Sequence, residues 1–239
     1  MIQSNANLSS KSEALIEKEN KYGAHNYHPL PVVLEKGEGV FLYDVDGKKY
    51  YDFLSGYSAV NQGHCHPAII KTLQEQASKL TLTSRAFHNN LLGEYEAYIC
   101  NYFGYDKVLP MNTGVEAVET ALKLARRWGY EVKQVPNNEA VILVCEHNFH
   151  GRTLNVISFS TDSSSTHHFG PFMSGYEVIA YNDVAALAQA LQHPNVVGFL
   201  VEPIQGEAGV VVPDEGYLAQ AAALCKQHKV LFIADEIQT

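Results

Sequence analysis

Apolar and polar positions change rhythm twice along this 239-residue chain. Residues 12–21 carry the spacing of a short charged helix and lead into the irregular stretch Tyr22-Gly-Ala-His-Asn-Tyr-His-Pro29. Two alternating runs between Gly39 and Asp52 flank Asp46-Gly47, a pair that accepts the positive φ of a tight hairpin turn. From about Tyr57 the pattern becomes helical stretches (67–78, 90–102, 115–130, 183–191, 216–228) alternating with short apolar or β-branched runs (141–145, 154–159, 176–180, 197–201, 230–234). Strands alternating with helices predict βαβ units and a mainly parallel sheet. Runs that are apolar at nearly every position predict strands covered on both faces. The Ser- and His-rich segment 161–170 reads as a long loop, and no internal repeat is visible. The class is α/β.

Composition narrows the picture without changing it. At 46% hydrophobic and 18% charged residues the chain is an ordinary globular one. Its net charge of -9 argues against nucleic acid or anionic membrane surfaces as partners. No apolar run is long enough to cross a bilayer. The first 20 residues are polar, lack an apolar signal core and contain no Arg, which leads to the expectation of a cytoplasmic protein. Cys65, Cys100, Cys145 and Cys225 are scattered, with no CxxC pair, as reduced cysteines would be.

Four stretches carry candidate chemistry. Asn112-Thr-Gly-Val-Glu-Ala117 is a turn feeding a helix, where Gly114 allows close backbone approach and the first free N–H groups form an anion site. Taken alone, such a turn is more often a simple cap. Asn148-Phe-His-Gly-Arg152 places an aromatic ring that can stack on a planar ligand beside an arginine that can grip a carboxylate. A buried Phe and a surface Arg would look the same. His147 and His150 have no third ligand at a workable spacing, so they read as solvated loop histidines rather than metal ligands. Asp44-Val-Asp-Gly47 lacks the remaining ligands of a calcium loop. Glu202 and Glu207 follow one apolar run and Asp235 ends another, so acids are delivered to strand ends, where open α/β sheets bind their ligands. A buried acid needs a partner, and a cationic heterocycle would serve.

In order, the Asn112 turn, Asn148-Phe-His-Gly-Arg152, Val201-Glu-Pro-Ile-Gln-Gly-Glu-Ala-Gly209 and Leu231-Phe-Ile-Ala-Asp-Glu-Ile-Gln-Thr239 resemble the motif series of the class III (subgroup II) pyridoxal-phosphate aminotransferases. The resemblance begins near Tyr22 and includes Phe53-Leu-Ser-Gly-Tyr-Ser-Ala-Val-Asn-Gln-Gly-His64. Tyr27, Tyr57, Phe169-Gly-Pro-Phe-Met173 and residues 202–213 are similar to the branch acting on ornithine. It implies the type I fold of pyridoxal-phosphate enzymes, with residues 1–56 as an N-terminal small-domain segment and 57–239 as an incomplete large cofactor-binding domain.

The resemblance also implies roles. Asp235 would pair with the ring nitrogen of pyridoxal 5'-phosphate, Phe149 would stack on its ring, and Gln238 would bond its 3-oxygen. Gly114 and Val115 would donate N–H groups to the phosphate, with Glu202 alongside the cofactor. Tyr27 and Arg152 would hold the α-amino and α-carboxylate end of ornithine, and Tyr57 would shape the pocket. Glu207 would ion-pair with a later arginine and release it when glutamate binds. The implied reaction takes ornithine and 2-oxoglutarate to glutamate 5-semialdehyde and glutamate, in a homodimer or larger assembly. The family's cofactor-holding lysine follows the Asp-Glu-Ile-Gln-Thr motif, and no lysine here stands in a matching motif. The chain as written is therefore expected to be inactive and, with an exposed sheet edge, poorly stable. The alternatives are a relative acting on acetylornithine or 4-aminobutyrate, or a non-catalytic remnant.

Overall fold

The computed structural model describes residues 8–239, so the first seven residues of the polar N-terminal stretch lie outside the described residues. The chain divides into two compact units, Met1–Tyr95 and Glu96–Thr239.

In the first unit, α1 (Ser10–Tyr22) begins where the Ser9 side chain accepts the Ser12 N–H. The Ser12 hydroxyl donates to Asp46 Oδ2 at 3.1 Å and Lys11 Nζ to the Val45 carbonyl at 3.0 Å, which ties the helix to the hairpin. The hairpin sits where the Asp-Gly pair placed it, between β2 (Phe41–Asp44) and β3 (Lys49–Tyr51), with Gly47 at φ 80°. The Asp44 carboxylate stitches the turn by accepting from Asp46 N, Lys48 N and the Tyr50 hydroxyl. A third antiparallel strand, β1 (Leu34–Glu38), completes this sheet. Helix α2 (Pro67–Ala77) starts with proline in its first turn, where no N–H is missed. Helix α3 (Leu92–Phe103) spans the division between the units.

The second unit is a parallel four-stranded sheet in the order β5-β4-β6-β7. Its strands are β4 (Val141–Cys145), β5 (Tyr176–Ile179), β6 (Val196–Val201) and β7 (Leu231–Ala234), all paired in parallel. All six residues of β6 are buried, as its unbroken apolar run required. Residues of β4 alternate between two cores. Leu143 and Cys145 pack with Leu187 of α7 (Val184–Ala190) and Ala221 and Cys225 of α8 (Tyr217–Gln227). Ile142 and Val144 pack with Val118, Leu122 and Ala125 of α4 (Gly114–Glu131). Burial pushes the Cys145 thiol up to about 12, so this cysteine packs rather than reacts. Helix α4 packs tightly on β6 at Gly129, where a Cβ would overlap Val197 Cγ1.

Two local expectations fail. Residues 154–159, read as a strand, form the short helix α5 (Leu154–Ile157). Strand β4 is already flanked by β5 and β6, so these β-branched residues bury instead as a plug, with Val156 and Phe159 in the α4 core. The loop 161–170 contains one helical turn, α6 (Ser163–Thr166), which starts where Asp162 accepts the Ser164 N–H.

Candidate active site

The carboxyl ends of β4, β6 and β7 and the start of α4 enclose a cleft of about 220 Å³. A parallel sheet brings these strand ends to one side, which is why residues far apart in sequence meet here. Gly114, Val115, Phe149, Glu202, Asp235 and Gln238, six of the residues singled out from the sequence, line it together.

At the α4 end, Thr113 and Glu116 form a reciprocal cap. Thr113 Oγ1 accepts the Glu116 N–H at 3.2 Å, and Glu116 Oε2 accepts the N–H groups of Asn112 and Thr113 at 3.0 and 3.1 Å. These bonds use neither the Gly114 nor the Val115 N–H, so both donors of the first turn remain available to an anion. Gly151, at φ 118°, lets the loop after β4 rest against α4, because a Cβ there would lie 2.5 Å from Val115 Cγ2.

That loop is held from below. Buried Asn148 donates from Nδ2 to the Cys145 and Phe159 carbonyls at 2.6 and 3.1 Å. The Phe149 N–H donates to Glu202 Oε1 at 2.9 Å, which fixes the ring beside the cleft. Burial raises the Glu202 carboxyl above its ordinary range, the Phe149 N–H opposes that rise, and the Asp235 charge adds to it. Gln205, also buried, donates to the Glu146 carbonyl at 2.7 Å and anchors the loop after β6.

Asp235 follows directly on β7. Its Oδ2 lies 2.7 Å from His150 Nδ1, and its Oδ1 accepts the Ile237 N–H at 3.2 Å. His150 therefore corrects the sequence reading. His147 is exposed as expected, but His150 is buried against the acid, 85 positions away in sequence. Periodicity could not have revealed a contact made by strand order, and the only local signal was its place beside Phe149. The anchoring roles of Asn148 and Gln205 are hidden from any local pattern for the same reason, since the Phe159 and Glu146 carbonyls they reach lie 11 and 59 positions away.

The remaining assigned residues are placed as follows. The Arg152 guanidinium carbon lies 5.7 Å from the centre of the Phe149 ring. Glu207 Oε1 accepts the Gln238 Nε2–H at 3.0 Å, so Gln238 is bridged to the acid-bearing loop. Tyr27 and Tyr57 belong to the first unit, where Tyr57 adopts φ 57° and its N–H donates to the Leu54 carbonyl.

The cleft thus offers unused N–H donors, an aromatic ring and a buried carboxylate. Residues 22–239 match the aminotransferase class-III family model, and the chain belongs to that family. The family's cofactor is pyridoxal 5'-phosphate. The chain is 64% identical over 230 residues to the mitochondrial ornithine aminotransferase of Drosophila ananassae, covering 96% of this chain and 53% of that protein. It superposes on the Toxoplasma gondii ornithine aminotransferase with a TM-score of 0.94 at 50% identity, covering 97% of this chain and 55% of that one. An acetylornithine aminotransferase structure from Elizabethkingia anophelis matches with a TM-score of 0.83 at 59% identity, covering 95% of this chain and 54% of that one. The chain spans about half the length of the curated relatives it matches.

The mitochondrial name carried by such relatives overturns the expected cytoplasmic location. That expectation rested only on the missing features of the first 20 residues, and a missing pattern carries no address.

Proposed function

We propose that this chain supplies the cofactor-holding part of a transaminase that acts on the δ-amine of ornithine with 2-oxoglutarate as acceptor. The buried Asp235 carboxylate at the end of β7, facing the same cleft as the α4 N–H donors and Phe149, carries the reading.

These residues fit pyridoxal 5'-phosphate by their chemistry. Gly114 and Val115 N–H groups suit a phosphate, the Phe149 ring suits a flat heterocycle, and Asp235 suits a protonated ring nitrogen. When bound, the cofactor supplies an electron sink for bond breaking at the carbon that bears the amine. Asp235 would hold the proton on the ring nitrogen by supplying a fixed negative charge beside it. Gln238 would bond the ring oxygen, and Glu202 fixes Phe149 by accepting its N–H. The assignments of Tyr27, Arg152 and Tyr57 to ornithine, and of Glu207 to a later arginine, belong to the same proposal and rest on the family motifs. So do a homodimeric assembly and the functional division at residue 56. Among the described residues no lysine lines the cleft, so the covalent anchor and proton shuttle lie outside this constellation.

The test is ornithine- and 2-oxoglutarate-dependent glutamate formation. The 239-residue polypeptide alone is expected to bind pyridoxal 5'-phosphate reversibly without turnover. The protein carrying the family's lysine is expected to turn over ornithine. Turnover by the 239 residues alone, or none by the longer protein, would contradict the proposal. The Elizabethkingia match keeps one second reading, a preference for N-acetylornithine. Side-by-side kcat/KM values for ornithine, N-acetylornithine and 4-aminobutyrate separate the two, and Tyr57→Ile is expected to shift that ratio away from ornithine.

A further inference from the structure

We propose that Asp52, braced by His64, is the positioning residue for Tyr57, because it caps the left-handed turn, residues 55–58, that presents the tyrosine. The inference deepens the ornithine reading and rests on it only for what Tyr57 does, not for how the turn is held.

Four successive residues lie in the left-handed region: Ser55 at φ 50°, Gly56 at 58°, Tyr57 at 57° and Ser58 at 68°. Only glycine enters this region without steric cost, and it does so as single residues. Three residues with side chains in one such turn are therefore no local preference. A strained run of this kind persists only where its surroundings impose it, and such runs cluster at ligand clamps.

The surroundings that impose it are visible. Asp52 Oδ1 accepts the Leu54 and Ser55 N–H groups at 3.0 and 2.8 Å, which fixes the entry to the turn. The Tyr57 N–H then reaches the Leu54 carbonyl at 2.9 Å, and the Val60 N–H reaches that of Ser55 at 2.8 Å. The other carboxylate oxygen, Asp52 Oδ2, lies 2.6 Å from His64 Nε2. Both partners are tied to the turn between β1 and β2. The Asp52 N–H donates to the Val40 carbonyl at 3.0 Å, and His64 exchanges two backbone bonds with Gly39 at 2.8 and 2.9 Å. The His64 ring rests on Gly37, where a Cβ would stand 2.7 Å from it. The side chains of His64 and Asp52 are 22% and 8% exposed, so water competes little for the pair. The bonds from His64, Ser55 and Leu54 hold the Asp52 carboxyl below the usual carboxylate range, which keeps the acceptor ionised.

A continuous set of bonds thus runs from the small sheet through two side chains to the backbone of Tyr57. Side-chain direction follows backbone conformation, so a turn that relaxed to the right-handed form would redirect the ring. Misplacing a positioning group by about 1 Å costs up to about 100-fold in rate.

The test uses the protein that carries the family's lysine. It reads the ratio of kcat/KM for ornithine to that for 4-aminobutyrate, which does not depend on the folded fraction. Asp52→Ala is expected to lower this ratio about 10-fold, and Asp52→Asn, which keeps a capping oxygen, to stay within about threefold. Adding Ser55→Gly to Asp52→Ala is expected to recover part of the loss, because glycine holds a left-handed φ without the cap. Adding Asp52→Ala to Tyr57→Ile is expected to leave the ratio where Tyr57→Ile put it. An unchanged ratio in Asp52→Ala, or losses that multiply in the double variant, would overturn the positioning role. His64→Leu removes the brace and keeps the cap, so it carries the test if Asp52→Ala does not fold; a lower ratio is expected, and an unchanged one would overturn the brace. Crystal structures give a readout without substrate. They are expected to show positive φ at residues 55–58 in the parent and a rearranged turn in the variant that lowers the ratio, and a turn kept unchanged there would overturn the proposal. If Tyr57→Ile itself leaves the ratio unchanged, the reading of Tyr57 falls, while the crystal structures still decide what holds the turn.

Discussion

Gly151 seats the loop after β4 tightly on α4, and Gly151→Ala tests that close approach. An added Cβ would stand 2.5 Å from Val115 Cγ2 and 2.6 Å from Val115 Cβ, so the far end of a flexible side chain is not what must yield. Forcing such overlap costs about 1–3 kcal/mol. Holding alanine at φ 118° costs roughly another 1–3 kcal/mol. The sum, about 2–6 kcal/mol, is a large share of a typical stability of roughly 5–15 kcal/mol. Gly209→Ala is the matched control, because its φ is 101° and nothing lies within 4 Å of the added Cβ. Urea unfolding of both variants isolates the overlap, since the backbone cost and the stiffer unfolded chain are shared. Gly151→Ala is expected to fall further than Gly209→Ala by about 1–3 kcal/mol and to weaken pyridoxal 5'-phosphate binding, because the displaced element is the α4 turn with its free donors. Equal losses in the two variants, with cofactor affinity intact, would refute the close approach.

Three further outcomes follow from the same geometry. Because burial raises the Glu202 carboxyl, its contribution to stability is full below the ordinary value of 4.5 and is lost as pH rises through the folded-state value. The stability of Glu202→Gln relative to the parent is thus expected to improve as pH rises from about 4.5, followed by urea midpoints across pH; a constant difference, or the opposite slope, would count against a buried carboxylate. Thr113→Ala removes the cap of α4 and is expected to cost about 1 kcal/mol in the same assay, with no change if the reciprocal cap does not form. Gly129→Ala is expected to destabilise by about 1–3 kcal/mol despite alanine's better helix propensity, and Val197→Ala in the same chain to recover part of the loss. Additive losses would show that the two positions do not touch.

Much of the site was legible because its parts lie in contiguous motifs. Asp235 could be placed from one apolar run that ends in an acid, and Glu202 from another. The helix start at Gly114 was marked by the turn Asn112-Thr-Gly114, and the structure shows the Thr113 side chain capping it. What stayed hidden depends on partners remote in sequence. The 154–159 segment has strand-like composition, but the positions beside β4 are filled by β5 and β6, and sheet order is not written in a local pattern. Strand β1, with the polar sequence Leu-Glu-Lys-Gly-Glu, is a strand only because β2 pairs with it. His150 is buried because β7 delivers Asp235 beside it, which no window around position 150 contains.

The central claim is that Asp235 keeps the nitrogen of a bound pyridine ring protonated. It is tested most directly with pyridoxal 5'-phosphate labelled with 15N in the ring, bound to the protein and to Asp235→Ala and observed by NMR. The account requires a pyridinium signal in the parent that shifts to the neutral-pyridine position in the variant. A neutral ring in the parent, or a pyridinium signal unchanged by the substitution, would contradict it.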